Sequence, residues 1–463
     1  MGAMIMKENR EKVVFFFPWK EVSGGPYYLV RLANALSMDP RYEVYYVDYK
    51  KALTDSMRSE RVNKIIYSSK FKFPKKKPIT LVTPIYWAHM IPELHPKSKI
   101  VFFNWHYCCI PVLRDSWRIS QDGMHNFLEL VNKNNACFFG DITHWLGQNT
   151  EDIKFKKIYV PIIVPEKKEI ANLEVIEKDI VNIAFLGRLC TDKIFSLLDL
   201  LESLNKIHNP NFRKIKVHII GDGDEKHRLL EKNLNNNIEL IFLGTVTGEK
   251  LNEYLMTKVD VLFAMGTSVL EGAALHLPSV IIPHNTEEFH CEKYVYLHDS
   301  KDYSLGWFDT QMEELDLRVK TAEDILNDLY VENKKRVYGE LDYEYCKENH
   351  RSNVEFLKRA LDESTLTYKN FNDLALKQFY FVKCIRLFHK RVFWIYMNAY
   401  HTKVYVSLRD KIRIMEFDKK DKGILVLGHK VPLLHIYNWD YGKIFFIGKI
   451  PVFIIRTEND FKY

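Results

Sequence analysis

The 463-residue chain has no apolar run of the roughly 18 residues that a membrane span needs, so no transmembrane helix is expected. It has no Cys-x-x-Cys pair. Its seven cysteines (Cys108, Cys109, Cys137, Cys190, Cys291, Cys346 and Cys384) are odd in number, and no secretory signal pattern accompanies them. That usage argues against a disulfide framework and for reduced thiols in a cytoplasm. No internal repeat and no low-complexity tract is present. The net charge of +7 is mild for this length, so whole-protein binding to nucleic acid is not demanded. His276, His284, His290, Cys291 and His298 fit no compact ligand spacing, so no metal site is expected there.

What is present is an ordinary globular composition, 47% hydrophobic and 27% charged, on a chain long enough for roughly two to four domains. From Val181 to Pro283 the apolar runs VNIAFLG, KVHIIGDG, IELIFLG, DVLFAMG and PSVIIP each reach a glycine or polar turn, and amphipathic helix follows most of them. That alternation predicts a parallel, doubly wound α/β domain. Its ligand belongs in the crevice beyond the carboxyl ends of the strands. A nucleotide suits the loops gathered there.

A first Rossmann-like unit opens at Val13, with VVFFFP as a buried strand, a Gly-rich loop at 23–26, and a helix from Tyr27 to Leu36. Further strands are expected at 42–49, 79–83, 99–103 and 136–139. Residues 156–165 and the charged stretch 166–178 read as a connection, and 311–362 as helical. The segment 377–413 holds nine Lys or Arg against the single acid Asp410, interleaved with aromatics. Read as a helix, it puts Phe381, Ile385, Phe388, Val392 and Ile395 on one face, with Lys383, Arg386 and Lys390 opposite. An interfacial helix has that pattern; the alternative is a packed accessory domain with solvated cations. Short β-like runs follow Lys422.

The chemistry concentrates in the turns. Arg188 and Lys193 lie five apart across the turn at Gly187, so both can reach one anion, Arg as a bidentate fork and Lys as a mobile charge. A solvated turn would look the same. Gly221-Asp222-Gly223 suits close backbone approach or a plain tight turn, with no complete dinucleotide fingerprint. Gly266, Thr267 and Ser268 precede a helix whose free N–H groups could cradle a diphosphate, and Glu271 sits one turn in. The competing reading is a Ser268–Glu271 capping box. His106, after a strand of the first unit, would face the same cleft, although a strand-end His is often structural.

Taken together, these motifs resemble the retaining GT-B glycosyltransferases of the family 4 type, most closely those building bacterial capsule or lipopolysaccharide. The resemblance rests on GRLxxxK (187–193), IIGDGDE (219–225), FLGTV (242–246) with Leu251 and Tyr254, LEGAALHLPSV (270–280) and SGGPYYLVRLANAL (23–36). It implies an α/β GT-B fold of two Rossmann-like domains facing a cleft, plus a basic, aromatic C-terminal α/β extension. The expected divisions are 1–165 on the acceptor side, 166–345 for the nucleotide sugar, a crossing helix at 346–365, and an accessory region at 366–463.

By that resemblance Arg188 and Lys193 bind the donor diphosphate, with His106 orienting sugar or diphosphate as a third catalytic residue. Gly24 and Gly25 pack against the donor from the other lobe, and Gly187, Gly221, Gly266, Thr267 and Ser268 line it. Glu271 holds the ribose, and Thr245 and Val246 lie beside the base. The family's further glutamate, eight positions before Glu271, is replaced by Phe263, and the intervening loop is shortened. The implied reaction moves a sugar from a nucleotide sugar, the co-substrate, to a hydroxyl of a glycan or lipid-linked glycan. Neither metal nor other cofactor is expected, and no nucleic acid. The tail implies contact with an anionic membrane surface on the inner, cytoplasmic face. A non-catalytic GT-B-like subunit and a sugar-nucleotide epimerase remain open as other readings of the same motifs.

Overall fold

The computed structural model describes the chain apart from residues 1–9, 21–23, 69–70, 75, 107, 118–120, 148–152, 168, 352–353, 378, 388–389, 399–402, 409–411, 419–422, 427–428, 431–433, 440–441, 448–449 and 457–463. Beyond residue 374, side chains are described for Val406 alone. The chain divides into two compact units. One comprises residues 1–85, 92–110 and 131–366, the other 86–91, 111–130 and 367–463.

The first unit contains two parallel-dominated sheets. In the first lobe, β1 (Glu11–Phe16), β2 (Tyr42–Asp48), β3 (Asn63–Ile66), β4 (Thr80–Pro84), β5 (Lys99–Asn104) and β6 (Cys137–Phe139) lie in the order β3-β2-β1-β4-β5-β6, and every pair is parallel. Continuous apolar runs make such strands, because helices cover both faces. Val13, Phe15 and Phe16 are wholly buried, as are Leu29, Leu32 and Ala33 on the helix Gly24–Leu36. Each such Val, Leu or Phe side chain contributes about 1.5–3 kcal/mol of transfer free energy.

In the second lobe, β7 (Ile180–Leu186), β8 (Lys214–Ile220), β9 (Ile238–Gly244), β10 (Val261–Ala264), β11 (Ser279–Ile281) and β12 (Val295–Tyr296) take the order β12-β11-β10-β7-β8-β9. The winding repeats that of the first lobe, except that β12 runs antiparallel to β11. In both sheets the chain begins at the centre, winds out to one edge, then returns and winds to the other. The reversal falls between β1 and β4 in one lobe and between β7 and β10 in the other. In sheets wound this way ligands bind beyond the carboxyl ends of the strands at such a reversal.

The chain passes between the lobes twice. Residues 158–160 are bonded to β6 through Phe139, while Ala171 N and Asn172 N donate to Leu275 O and Met256 O of the second lobe. The helix Lys335–His350 packs on the second lobe, where Gly339 lies so close that a Cβ would come 2.1 Å from His276 O. The helix Val354–Glu363 returns to the first lobe, with Lys358 Nζ 2.8 Å from Asp39 Oδ2 and Ile100 N donating to Leu366 O. At the crossing, Val164 N donates to His350 O and His350 Nδ1 donates to Ile162 O, at 2.8 and 3.0 Å.

Three expectations are corrected. The helix after Gly223 is only a 3-10 turn (Asp224–Lys226) and a single helical turn (His227–Leu230), because Asn235, Asn236 and Asn237 favour turns over helix. Strands β3 and β12 were not foreseen: four and two residues carry too little periodicity to register. Segment 377–413 is not an interfacial helix. It forms β13 (Phe379–Leu387), β14 (Lys390–Asn398), β15 (Lys403–Leu408) and the start of β16 (Ile412–Asp418), while Phe388 lies outside the described residues. Its Phe, Tyr, Trp, Val and Ile content favours strand, and the helical spacing of its apolar residues was incidental.

These strands continue with β17 (Gly423–Val426) and β18 (His429–Lys430) as a six-stranded antiparallel meander in sequence order. A three-stranded sheet follows, of β19 (Leu434–Trp439), β20 (Gly442–Ile447) and β21 (Ile450–Arg456). In the same unit the helix Tyr368–Lys377 brings Phe371 against Trp117 and Phe127, with ring centroids 6.2 and 6.1 Å away.

Candidate active site

At the carboxyl end of β7 the chain turns through Gly187, Arg188 and Leu189 into the helix Thr191–Asn205. Leu189 is buried and pins the turn, which leaves Arg188 exposed. Lys193, half-buried in the first helical turn, runs back over Gly187: a Cβ there would stand 3.4 Å from Lys193 Cδ. The turn after β8 lies directly on this one. A Cβ on Gly221 would fall 1.9 Å from Gly187 O, so only glycine allows the two turns to meet. Gly187 N donates to Ile220 O and Leu189 N to Asp222 O, both at 3.0 Å. Gly187, Arg188, Lys193 and Gly221 therefore form one surface.

At the end of β10, Gly266 has φ 62°, which favours glycine, and it starts the helix Thr267–Ala273. The capping-box reading of Ser268 and Glu271 is overturned. The N-cap is Gly266, with no side-chain cap, and the Glu271 carboxylate is engaged elsewhere. Arg31 Nη2, from the first lobe, stands 3.2 Å from Glu271 Oε1, and Lys167 Nζ, from the connection, 2.7 Å from Oε2. Lys167 also donates to Asn252 Oδ1 and Glu271 O. Burial pushes the Glu271 carboxyl up, but the Lys167 and Arg31 cations outweigh it and hold the group below its ordinary range. Arg31 Nε and Nη1 are buried without a hydrogen-bond partner among the described residues.

Gly24 reaches the same region. A Cβ on it would stand 3.8 Å from Thr267 Oγ1, an ordinary contact between lobes. Gly25 instead lies against the Trp105 indole, 2.7 Å from where its Cβ would be. His106, just past β5, has its ring 6.2 Å from that of His284, which follows β11 in the second lobe. Its Nδ1 is 2.9 Å from Cys108 Sγ. Ser268 is half-buried beside Thr267. Thr245 is exposed just past β9, and Val246 packs on the second-lobe core. Phe263 is wholly buried in β10, edge-on to Tyr294 at 5.7 Å. Counting back eight residues from Glu271 therefore lands in the sheet core, because only Met265 and Gly266 separate strand from helix.

Arg31, Lys167 and His284 have no site role in the motifs read from sequence. Arg31 did carry a signal, a lone cation inside the apolar run YYLVRLANAL. Lys167 was one charge among many in the stretch 166–178. The histidines of 276–298 are dispersed: His276 Nδ1 meets Glu340, and His298 Nδ1 meets Asp342. Among the described residues no three His, Cys, Asp or Glu side chains group as metal ligands. No helix of the described residues is long and apolar enough to cross a membrane.

Residues 181–302 match the family model described as glycosyl transferases group 1. No curated protein matches the chain by sequence. Among solved structures, a glycosyltransferase from Rickettsia africae ESF-5 is similar over 79% of this chain and 99% of its own, at 11% identity and a TM-score of 0.44. The lipopolysaccharide outer core galactosyltransferase WaaB is similar over 76% and 99%, at 12% identity and 0.44. The trehalose-6-phosphate synthase OtsA is similar over 76% and 99%, at 12% identity and 0.47. Two doubly wound lobes thus lie in one unit, and the match to glycosyl transferases group 1 falls across the second.

Proposed function

We propose that the protein transfers a glycosyl group, with retention and without a metal ion, from a nucleotide sugar to a hydroxyl of a glycan or lipid-linked glycan in bacterial surface polysaccharide or glycolipid synthesis. The observation that carries this reading is the joined turn of Gly187, Arg188, Lys193 and Gly221 at the carboxyl ends of β7 and β8, beside the second-lobe reversal point. In the reaction, the bond from the anomeric carbon to the phosphate oxygen breaks and its electron pair leaves with the diphosphate. A new bond forms to the acceptor oxygen, whose proton passes to a donor phosphate oxygen. Arg188 and Lys193 neutralise the charge that develops on the leaving group, the work a divalent cation does elsewhere. Glu271 accepts the ribose hydroxyls, and His106 orients the sugar or diphosphate.

The test is slow release of nucleotide from UDP-, GDP-, ADP- and CMP-sugars without acceptor, in the presence of chelator. Turnover of one donor, undiminished by chelator, is expected; activity that appears only with magnesium or manganese sinks the metal-free reading. A second reading, a non-catalytic nucleotide-sugar-binding subunit, is favoured by the burial of Phe263 where the family carries an acid. Donor binding with no hydrolysis and no transfer would select it. We further propose that the basic tail holds the enzyme on the cytoplasmic face of a membrane, beside a lipid-carried acceptor.

A further inference from the structure

A cavity of about 410 Å³ opens beyond the carboxyl ends of β1 and β2, lined by Trp19, Lys20, Tyr49, Lys51 and Ala52. Both aromatic rings are held in place. Trp19 stacks on Phe17 at 5.3 Å and 18°, and the buried Phe17 stands edge-on to Trp105. Tyr49 is edge-on to Tyr67 at 5.5 Å, and the backbone beneath is tied down by Tyr67 N donating to Asp48 O at 2.8 Å. Asp48 itself is buried and already accepts from Tyr49 N and Thr54 Oγ1. The charged groups of the lining are thus both positive. Lys20 Nζ sits 5.0 Å over the Tyr49 ring, and neither Lys20 nor Lys51 has an ion-pair partner among the described residues.

Fixed aromatic faces carry negative charge density and present a flat apolar surface, which suits the C–H face of a sugar ring. Two unpaired ammonium groups beside them suit an anion on that sugar. Resting on the glycosyltransferase reading above, we propose that this cavity is an acceptor subsite for an anionic saccharide, one that carries a phosphate or a carboxylate. Trp19 and Tyr49 hold the ring, and Lys20 and Lys51 the charge.

Ligand-observed NMR titration of the full chain at low salt tests this with glucose 6-phosphate, glucuronate, methyl glucoside and inorganic phosphate. At least one anionic sugar should bind tenfold or more tightly than both methyl glucoside and inorganic phosphate, and the better of the two identifies the anion. The Lys20→Met/Lys51→Met protein should lose that preference and keep the wild-type melting temperature. Trp19→Leu should weaken anionic and neutral sugars alike. Equal binding of charged and neutral sugars, equal binding of inorganic phosphate, no sugar binding, or a preference untouched by the double substitution would overturn the assignment. Nucleotide release from the donor without acceptor should be the same in wild type and the lysine variant. A wild type that fails this donor assay counts against the catalytic reading, while the sugar titration is judged by itself.

Discussion

Arg31 and Glu271, 240 positions apart, meet at 3.2 Å between the two lobes, and Lys167 closes on the other carboxylate oxygen. The Glu271 carboxyl is thereby kept ionised although partly buried. Its contribution to stability is present above the ordinary carboxylate pKa and is lost as pH falls through the lowered folded value. Lys167→Met should remove the larger restraint. We expect about 1–3 kcal/mol lower stability in denaturant unfolding and an acid limb of donor binding moved to higher pH. Lys167→Arg should restore both. An unmoved acid limb would separate Lys167 from the donor site.

Glu271→Gln tests the ribose contact itself. The amide keeps one acceptor oxygen but loses the charge, so calorimetry should find nucleotide-sugar affinity reduced by more than the folding stability. Equal donor affinity in the two proteins would leave Glu271 as an inter-lobe ion pair only.

Arg188→Ala and Lys193→Ala should each lower turnover about a hundredfold, since one electrostatic contact to a developing charge is worth on the order of 3 kcal/mol. Arg188 is exposed, so its removal should leave the melting temperature unchanged. Near wild-type turnover in either variant would show that the diphosphate lies elsewhere.

Acid should destabilise the first unit through its buried imidazoles. Burial holds His350 and His218 down to about 4, so below the ordinary histidine range the unfolded chain takes up protons that the folded one refuses. Their stabilising contribution is complete above that range and is lost as pH falls toward 4. His298, raised on balance by Asp342 against the opposing effect of burial, acts in the opposite sense. Urea unfolding at pH 7.5 and pH 5 should give a lower stability at pH 5. His350→Gln should shrink that difference by about 2 kcal/mol; an unchanged difference would mean His350 does not titrate as its burial demands.

The tail proposal is tested by flotation. With a surplus of eight positive charges in 377–413, the full-length protein should float with anionic vesicles at low salt and sink at high salt. Each basic residue near such a surface is worth about 1 kcal/mol. Indifference to anionic vesicles at low salt removes the tether.

The second lobe was legible because its buried strands are continuous apolar runs that end in glycine: β7, β8, β9, β10 and β11 all fall where those runs predict. Gly221 was legible as a close approach, though its neighbour, Gly187 O, was not. Arg31 and Lys167 escaped because a pairing over such distances in sequence leaves no periodic trace. The capping box failed for the same reason: local spacing suggested a local partner for Glu271, and two distant cations were nearer. In the tail, strand and helix readings competed over the same aromatic residues, and the alternation that marks strands was broken by irregular registers such as that between Phe381 and Lys383.

The two passages between the lobes are clasped where His350 bonds both Val164 and Ile162. Both passages are therefore held to one another at a single crossing, by these two hydrogen bonds. The Arg31–Glu271 pair is a further contact between the lobes. Because Arg31 and Glu271 are mostly buried, dissolved salt screens their pair weakly, and acid rather than salt should loosen that contact between the lobes.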